Sequence, residues 1–486
     1  MPYEVESVIA EVPTQLFIGG KWRGADDEAT IEVIDPSTAK PLTSVSSASP
    51  EDGTAAVHAA QEALRAWRRT APRVRANLLR AAFELMMERQ EWFALLISAE
   101  NGKALPDARA EVAYAAEFFR WYSEEAVRLD GSLHVAPTGD YRIIVQREPI
   151  GVAVLVTPWN YPAAMATRKI GPALAAGCTV ILKPASDTPL TALALAALLA
   201  EIGIPAGVVN VLPSHRSGAV VGTLLSNPAV RKVSFTGSTE VGVKLLHLAA
   251  DRVLSSSMEL GGNAPFIVLA DADIQSAVAG AMVAKMRNGG EACTAANRFY
   301  VHDAVADEFS QTFASAMNSL RVGPGYEEGV AVGPLVNEAA RKKVHALVDD
   351  AVRRGADVLV GGDIPHREGY YYPPTVLDHV SPEAELMHDE IFGPVAPIVR
   401  FTDVEEATAA ANRTDYGLVS YVYTADLAAG MRVAEALESG MVGLNRGVVS
   451  DPSAPFGGVK LSGLGREGGH EGMLEYTEAK YIATSW

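Results

Sequence analysis

Residues 151–157, GVAVLVT, form an uninterrupted apolar run that ends just before a Pro-Trp-Asn-Tyr-Pro segment. A strand that is apolar on both faces is typical of a parallel sheet covered by helices. The next runs alternate in type, with a helix predicted at 163–176, a strand at 179–182, a helix at 190–202 and a strand at 208–212. Short β-prone runs separated by helices predict βαβ crossovers and therefore a doubly wound α/β lobe.

A second α/β series follows the first. It opens with an apolar run at 265–269 and continues with predicted strands at 395–401 and 442–444, interleaved with helices. We therefore expect a second lobe of the same class, and the cleft between two lobes is a usual place for a small-molecule site. Residues 132–148 are predicted to form a hairpin and residues 476–486 a β-prone tail. Since edge strands need partners, this small β element predicts a homodimer or homotetramer.

The composition argues against several classes of protein. The 486 residues include 41 Lys and Arg against 59 Asp and Glu, a formal net charge of −18. Such an acidic surface argues against binding of nucleic acid or anionic membranes, but it is compatible with a local basic pocket. Two cysteines cannot build a disulfide framework, so we expect a reducing compartment, the cytoplasm. The most apolar stretch, residues 189–202, is too short to cross a bilayer, and we expect no targeting segment.

Two candidate reactive side chains lie beside paired glycines. Cys293 follows Gly-Gly-Glu-Ala, and a thiolate is the best side-chain nucleophile near neutral pH. Glu259 stands between apolar neighbours, where desolvation raises the pKa of a carboxyl and suits it to act as a general base. From the residues alone, a buried core thiol and an exposed strand end remain the alternatives. Cys178, at the start of a predicted strand, is expected to be a core residue.

Three loops follow predicted strands at their carboxyl ends, where open α/β sheets hold ligands. Asn160 can donate its amide N–H to an oxyanion. Gly237 and Ser238 begin a helix whose free amides suit a phosphate, and the segment from Lys183 to Ser186 can contact an adenosine ribose. Each loop has a plainer alternative, which is a turn, an ordinary N-cap or a solvated loop. No G-x-G-x-x-G fingerprint follows any of these strands.

In their order and separation, these motifs resemble the aldehyde dehydrogenase family from Phe17–Trp22 to Pro455–Gly458, nearly the whole chain. The resemblance implies that Cys293 attacks an aldehyde to form a thiohemiacetal, while Asn160 and the Cys293 amide hold the oxyanion. Hydride transfer to a nicotinamide would leave a thioester. Glu259 would then activate the water that hydrolyses it.

The resemblance also implies a cofactor site. Members of the family that prefer NAD often carry a Glu after Lys-Pro-Ala or Lys-Pro-Ser, whereas this chain has Ser186 at that place. A carboxylate would repel a 2′-phosphate, but a hydroxyl can donate to it, so we expect NADP to be preferred and NAD to be possible. No metal ion is implied. The residues that match the family's cofactor contacts are Trp159, Lys183, Ser186, Gly237, Ser238, Leu260, Glu390 and Phe392.

The implied fold is α/β, with two doubly wound lobes, a Rossmann-like cofactor domain and a catalytic domain, plus a small β oligomerisation element. Residues 1–126, which are predicted to be mainly helical, would join residues 149–258 in the cofactor-binding domain. Residues 259–455 would form the catalytic domain. Residues 127–148 and 456–486 would form the bridging element.

Within the family, three stretches resemble the succinate-semialdehyde dehydrogenase branch. There, Arg168 and Arg287 match arginines that bind the distal carboxylate of the substrate, and Ser450 matches a serine that assists them. Salt bridging between the lobes is the alternative for the arginines. Asp451 would oppose an anionic substrate if it pointed inward, and Ala295 replaces a second cysteine that some members use for a local disulfide. The three stretches are residues 164–169, 258–268 and 286–288.

The leading prediction is therefore NAD(P)-dependent oxidation of a short semialdehyde acid, most simply of succinate semialdehyde to succinate. One alternative keeps the chemistry but takes another aliphatic, aromatic or amino aldehyde. Another is a cysteine esterase or thioesterase, because a cysteine and a glutamate base suffice for acyl transfer. The last is a non-catalytic protein that retains the fold, although the intact Cys293, Glu259 and Asn160 argue against it.

Overall fold

The computed structural model describes residues 3–486. The helices are α1 (Val5–Glu11), α2 (Pro50–Trp67), α3 (Pro72–Glu88), α4 (Gln90–Asn101), α5 (Leu105–Glu125), α6 (Pro162–Ala176), α7 (Pro189–Glu201), α8 (Ser217–Ser226), α9 (Thr239–Ala250), α10 (Ile274–Met286), α11 (Asp303–Asn318), α12 (Glu338–Arg353), α13 (Val404–Asn412), α14 (Leu427–Ala436) and α15 (Glu471–Leu474). The strands are β1 (Leu16–Ile18), β2 (Lys21–Arg23), β3 (Thr30–Asp35), β4 (Lys40–Ser46), β5 (Ser132–Val135), β6 (Arg142–Pro149), β7 (Val152–Val156), β8 (Thr179–Lys183), β9 (Val209–Val211), β10 (Val230–Thr236), β11 (Ser255–Glu259), β12 (Ala264–Val268), β13 (Ala296–His302), β14 (Asp357–Val360), β15 (Thr375–Asp378), β16 (Val395–Phe401), β17 (Val419–Tyr423), β18 (Met441–Leu444), β19 (Gly463–Leu464) and β20 (Thr477–Thr484).

The quoted apolar run forms β7, near the centre of an eight-stranded sheet with the order β19-β11-β10-β7-β8-β9-β1-β2. The strands from β11 to β9 pair in parallel, and all five residues of β7 are buried, which confirms the predicted βαβ lobe. The carboxyl ends of β7, β8 and β10 therefore meet along one edge of this sheet.

A second, seven-stranded sheet has the order β14-β15-β16-β13-β12-β17-β18. Its strands pair in parallel except for β14, so the expectation of a second α/β lobe is also confirmed. The chain passes from the first sheet to the second between Glu259, the last residue of β11, and Ala264, the first residue of β12. The predicted general base thus lies at the junction of the lobes.

The predicted hairpin and tail form one three-stranded sheet. β6 pairs antiparallel with β5 on one side and with β20 on the other, the latter over Arg142–Pro149 against Thr477–Thr484. Every residue of β5 is exposed, and Leu133 is 62% exposed. Gly463–Leu464 instead pairs with β11 in the first sheet, so the proposed boundary at residue 456 stays an interpretation.

The N-terminal segment contains more strand than the sequence predicted. β1 and β2 form a hairpin at the edge of the first sheet, and β3 and β4 pair with each other. Gly19 and Gly20 make the turn of the first hairpin with φ of 61° and 76°, values that suit glycine. Strands of three residues carry too little alternation to be found by periodicity, which explains why the helices dominated the prediction.

Close packing of α6 supports the first sheet from one face. All its residues are buried, and a Cβ on Gly171 would lie 3.1 Å from the ring of Tyr122 in α5. Cys178, just after α6, is fully buried and its Sγ donates to the carbonyl of Tyr476 at 3.3 Å. Among residues 3–486, no helix is both long and apolar enough to cross a bilayer. Nor does this part of the chain bring three His, Cys, Asp or Glu side chains together as a metal site.

Candidate active site

A cavity of about 270 Å³ opens between the two lobes, at the carboxyl ends of the first sheet. β7 leads into its Trp159–Asn160 wall and β10 into its Gly237–Ser238 wall, while the loop before β13 contributes Cys293. The sequence-predicted residues that line it are Trp159, Asn160, Arg168, Gly237, Ser238, Leu260, Arg287, Cys293, Glu390, Phe392 and Ser450. Glu259, Lys183 and Ser186 do not line it.

Cys293 follows a turn whose residues adopt the left-handed backbone conformation. Asn288, Gly289 and Gly290 have φ of 53°, 58° and 81°, which bends the chain after α10 toward the cavity. Burial, with smaller contributions from the charges of Glu390 and Glu259, raises the pKa of the Cys293 thiol to about 12, and the charge of Arg168 opposes this shift. Without ligands, the side chain is therefore a thiol at neutral pH and needs a proton acceptor before it can attack.

Asn160 is held by its backbone and its side chain together. Its carbonyl accepts from Lys103 Nζ at 2.6 Å and from Asn288 Nδ2 at 2.9 Å. Its own Nδ2 donates to the carbonyl of Glu291 at 3.0 Å. An amide nitrogen carries two hydrogens, so one remains for a ligand in the cavity that Cys293 also lines.

Glu259 is buried behind the cavity wall, 2% exposed. Neither carboxylate oxygen has a hydrogen-bond partner in the part of the chain that the structure describes. Burial is the largest cause that raises the pKa of Glu259 well above its usual range, and the charge of Glu467 adds to it, while Lys169 and Arg168 oppose it. A Cβ on Gly457 would lie 3.0 Å from Oε1, so glycine there leaves the carboxyl its space.

The two arginines differ in how they are held. Arg168 is 2% exposed, donates to the hydroxyl of Tyr114 at 2.6 Å, and places its Nη1 3.8 Å from Glu467. Its guanidinium lies 4.2 Å from the centroid of the Phe456 ring. Arg287 is half-buried and forms no ion pair within residues 3–486. Arg287 is thus the freer cation, whereas part of the charge of Arg168 already faces Glu467.

Ser450 lines the cavity, but the neighbouring Asp451 does not. The Asp451 carboxylate instead accepts from the backbone N–H and the hydroxyl of Ser453, at 2.9 Å and 2.7 Å. This carboxylate therefore points to its own exposed loop and does not oppose an anionic substrate in the cavity.

The residues expected to contact the cofactor surround the same edge. Glu390 accepts from the backbone N–H of Gly262 at 3.1 Å, and burial raises its pKa to about 7. Phe392 meets Trp159 edge to face at 5.4 Å between ring centroids. Ser238 accepts from Val241 N–H at 3.4 Å, so it is an N-cap of α9 as well as part of the cavity wall.

Lys183, the last residue of β8, and Ser186, in the loop after it, lie further along the edge. Lys183 is buried, and burial lowers the pKa of its ammonium to about 8, although Asp187 opposes this shift. The hydroxyl of Ser186 donates to the carbonyl of Ser214 at 3.1 Å and is partly exposed. Ser186 does not line the cavity, and its single O–H would have to turn away from Ser214 to donate to a 2′-phosphate.

Sequence reasoning missed Tyr114, Lys343 and Phe456, which also line the cavity. Lys343 Nζ donates to the backbone carbonyl of Glu390 at 2.6 Å. Tyr114 and Lys343 lie on α5 and α12, far in sequence from every motif, so no local signal pointed to them. Phe456 does lie in a Pro-Phe-Gly-Gly stretch, and that pattern could have raised it as a candidate.

The raised pKa of Cys293 makes a prediction for alkylation of the ligand-free protein. Since the thiolate is the reactive form, the rate with iodoacetamide should rise about tenfold per pH unit from pH 7 to pH 9. Mass spectrometry of peptides should locate the label on Cys293, and the fully buried Cys178 serves as the internal control. A rate that levels off below pH 8 would contradict the account.

Comparison with known proteins finds relatives that match nearly the whole chain. The model of the aldehyde dehydrogenase family matches residues 22–482. A succinate-semialdehyde dehydrogenase of Paenarthrobacter nicotinovorans is 54% identical over 91% of this chain and 98% of its own length. The NADP(+) succinate-semialdehyde dehydrogenase GabD of Escherichia coli is 48% identical over 96% of this chain and 97% of its own.

Two further relatives bear on substrate and fold. A glutarate-semialdehyde dehydrogenase of Pseudomonas putida is 49% identical over 97% of this chain and 98% of its own length. The crystal structure of succinate-semialdehyde dehydrogenase from Burkholderia pseudomallei superposes with a TM-score of 0.97 at 46% identity, covering 99% of each chain. Both sequence and fold therefore agree over nearly full length, and the chain belongs to the aldehyde dehydrogenase family.

Proposed function

We propose that the protein oxidises the semialdehyde of a short dicarboxylic acid, with succinate semialdehyde as the first candidate substrate. The observation that carries this proposal is one cavity lined by Cys293, Asn160, Arg168 and Arg287. A guanidinium binds a carboxylate through paired N–H donors, so the arginines favour an aldehyde that carries a distal carboxylate. Glutarate semialdehyde, one methylene longer, is the second candidate because a glutarate-semialdehyde relative is 49% identical.

The first step is attack of the Cys293 sulfur on the aldehyde carbon. Because the pKa of the thiol is raised to about 12, its proton must leave to a base as the bond forms. Asn160 Nδ2 keeps one hydrogen for the developing oxyanion, and the Cys293 amide is the second proposed donor. A single oxyanion donor contributes about 10²- to 10³-fold in kcat.

Glu259 is the proposed base for hydrolysis of the thioester. Its carboxyl lacks hydrogen-bond partners among the described residues, so rotation toward the cavity breaks no bond. Burial raises its pKa, so its carboxylate is a stronger base than that of an exposed glutamate. Activity that depends on this base rises with pH as the carboxyl ionises.

The site fits a nicotinamide dinucleotide. A Cβ on Gly237 would lie 2.5 Å from the ring of Phe235, so glycine is required there, and Gly237 and Ser238 at the start of α9 line the cavity. Glu390 and Phe392 would hold the nicotinamide half, and Trp159, Lys183, Ser186, Ser238 and Leu260 the rest. When bound, the cofactor supplies the hydride acceptor.

Two other candidates are weaker. A neutral aldehyde would offer no carboxylate to the half-buried Arg287, which lines the cavity and forms no ion pair among the described residues. Ester hydrolysis uses the same cysteine and glutamate and is expected as a side activity.

A homodimer or homotetramer through the exposed β5 and β20 is also proposed. It is supported by the apolar side chains of Leu133, Val135 and Tyr481, which are 62%, 51% and 56% exposed.

Steady-state kinetics with NADP test the substrate. We expect Arg287→Ala to raise KM for succinate semialdehyde about 10- to 100-fold, since charge-assisted hydrogen bonds contribute about 1.5–3 kcal/mol each. KM for hexanal should change less than threefold. The matched control is Arg446→Ala, an exposed arginine outside the cavity. Equal effects of Arg287→Ala on both aldehydes would overturn the semialdehyde assignment.

The cofactor preference is tested at Ser186. We expect wild type to have a higher kcat/KM with NADP than with NAD, and Ser186→Glu to lower the NADP-to-NAD ratio at least tenfold through repulsion of the 2′-phosphate. Ser186→Ala is the control, because it removes the donor without adding charge. A wild-type kcat/KM with NAD ten times that with NADP would refute the preference.

A further inference from the structure

A buried ion pair lies behind the Asn160 wall. Lys103 and Glu111 are both 0% exposed in their side chains, and Lys103 Nζ donates to Glu111 Oε2 at 2.5 Å. Neither residue lines the cavity. Burying two charges costs several kcal/mol for each ion, so a pair of this kind needs well-placed partners for its remaining hydrogen bonds.

The Lys103 ammonium also donates a hydrogen bond to the Asn160 segment. A second N–H of its ammonium donates to the Asn160 carbonyl at 2.6 Å, and the nitrogen lies 4.1 Å from the centroid of the Tyr161 ring. Asn288 Nδ2 donates to the same carbonyl at 2.9 Å. The peptide that carries the Asn160 side chain is thus fixed by two donors.

Glu111 directs its other oxygen at the start of α6. Its Oε1 accepts from the backbone N–H groups of Ala163 and Ala164, at 2.9 Å and 3.2 Å. These are amides of the first turn, which have no partner within the helix. One ion pair therefore joins the Asn160 peptide to the first turn of the helix that carries Arg168.

We propose that Lys103 is a positioning residue for the oxyanion site, which acts through the Asn160 backbone and, through Glu111, on α6. The proposal rests on the proposed function, since it assumes that Asn160 stabilises the oxyanion. Lys103 does not line the cavity, so it acts through Asn160 and not on the substrate directly. Its effect is on the direction of the free Asn160 N–H, and a misplacement of about 1 Å at such a donor can cost about 10²-fold in rate.

A double-mutant cycle between Lys103 and Asn160 tests the proposal. Lys103→Met combined with Glu111→Gln removes both charges of the pair, so neither partner is left as an unpaired ion. The variants are this neutral pair, Asn160→Ala, and the two combined. Each is assayed for the pre-steady-state burst of NADPH with succinate semialdehyde and for hydrolysis of p-nitrophenyl acetate, and thermal unfolding checks the fold.

We expect the neutral pair to lower the burst rate 10- to 100-fold, with KM for succinate semialdehyde changed less than threefold. In the Asn160→Ala background, the same pair of substitutions should lower the burst rate less than threefold, because the Asn160 N–H that Lys103 positions has already been removed. Ester hydrolysis should show the same pattern. Should the neutral pair fail to fold, Lys103→Arg, which keeps the buried charge, should give the same non-additive loss.

Losses that multiply in the Asn160→Ala background would overturn the positioning role and leave the proposed function standing. A neutral pair with the wild-type burst rate would overturn it as well. If Asn160→Ala itself leaves both the burst and the ester hydrolysis unchanged, the oxyanion role in the proposed function fails, and the positioning role fails with it.

Discussion

Parallel pairing of β7 with β8 and β10 is the constraint on which the site depends. Because parallel strands end at the same edge, the loops after them must gather there, whatever their separation in sequence. Asn160 and Gly237 follow β7 and β10, and Lys183 is the last residue of β8. The second lobe completes the cavity by bringing several segments against this edge, namely the Cys293 loop, the Glu390–Phe392 segment, Lys343 and Ser450.

Desolvation is the second common feature. Burial is the first cause of the raised pKa of Cys293, of Glu259 and of Glu390, and the three negative forms would disfavour one another further. The Cys293 thiol and the Glu259 carboxyl are therefore shifted toward their neutral forms, whereas Glu390, with a pKa of about 7, is divided between its two forms at neutral pH. A cationic nicotinamide or a bound carboxylate changes the local charge, so the reactivity of the site depends on what occupies it.

Much of this arrangement was predictable from the sequence. The apolar runs and their spacing gave the parallel lobes, and the Gly-Gly pairs pointed to Cys293 and Glu259. The ion pair of Lys103 and Glu111 was not predictable, since its partners, among them Asn160, come together only when α5 packs on α6. Nor did periodicity find the three-residue strands of the N-terminal hairpin, which carry too few residues to show alternation.

The surroundings of the Glu259 carboxyl were likewise not predictable from the sequence, because they include Gly457, which is far away in sequence and where a Cβ would lie 3.0 Å from Oε1. The account's central claim is that Cys293 carries the acyl group that Glu259 helps to release. It is tested most directly by intact-protein mass spectrometry of Glu259→Gln after reaction with succinate semialdehyde and NADP. The account predicts a succinyl adduct that peptide mapping places on Cys293. A burst of NADPH with no adduct on Cys293 would contradict it.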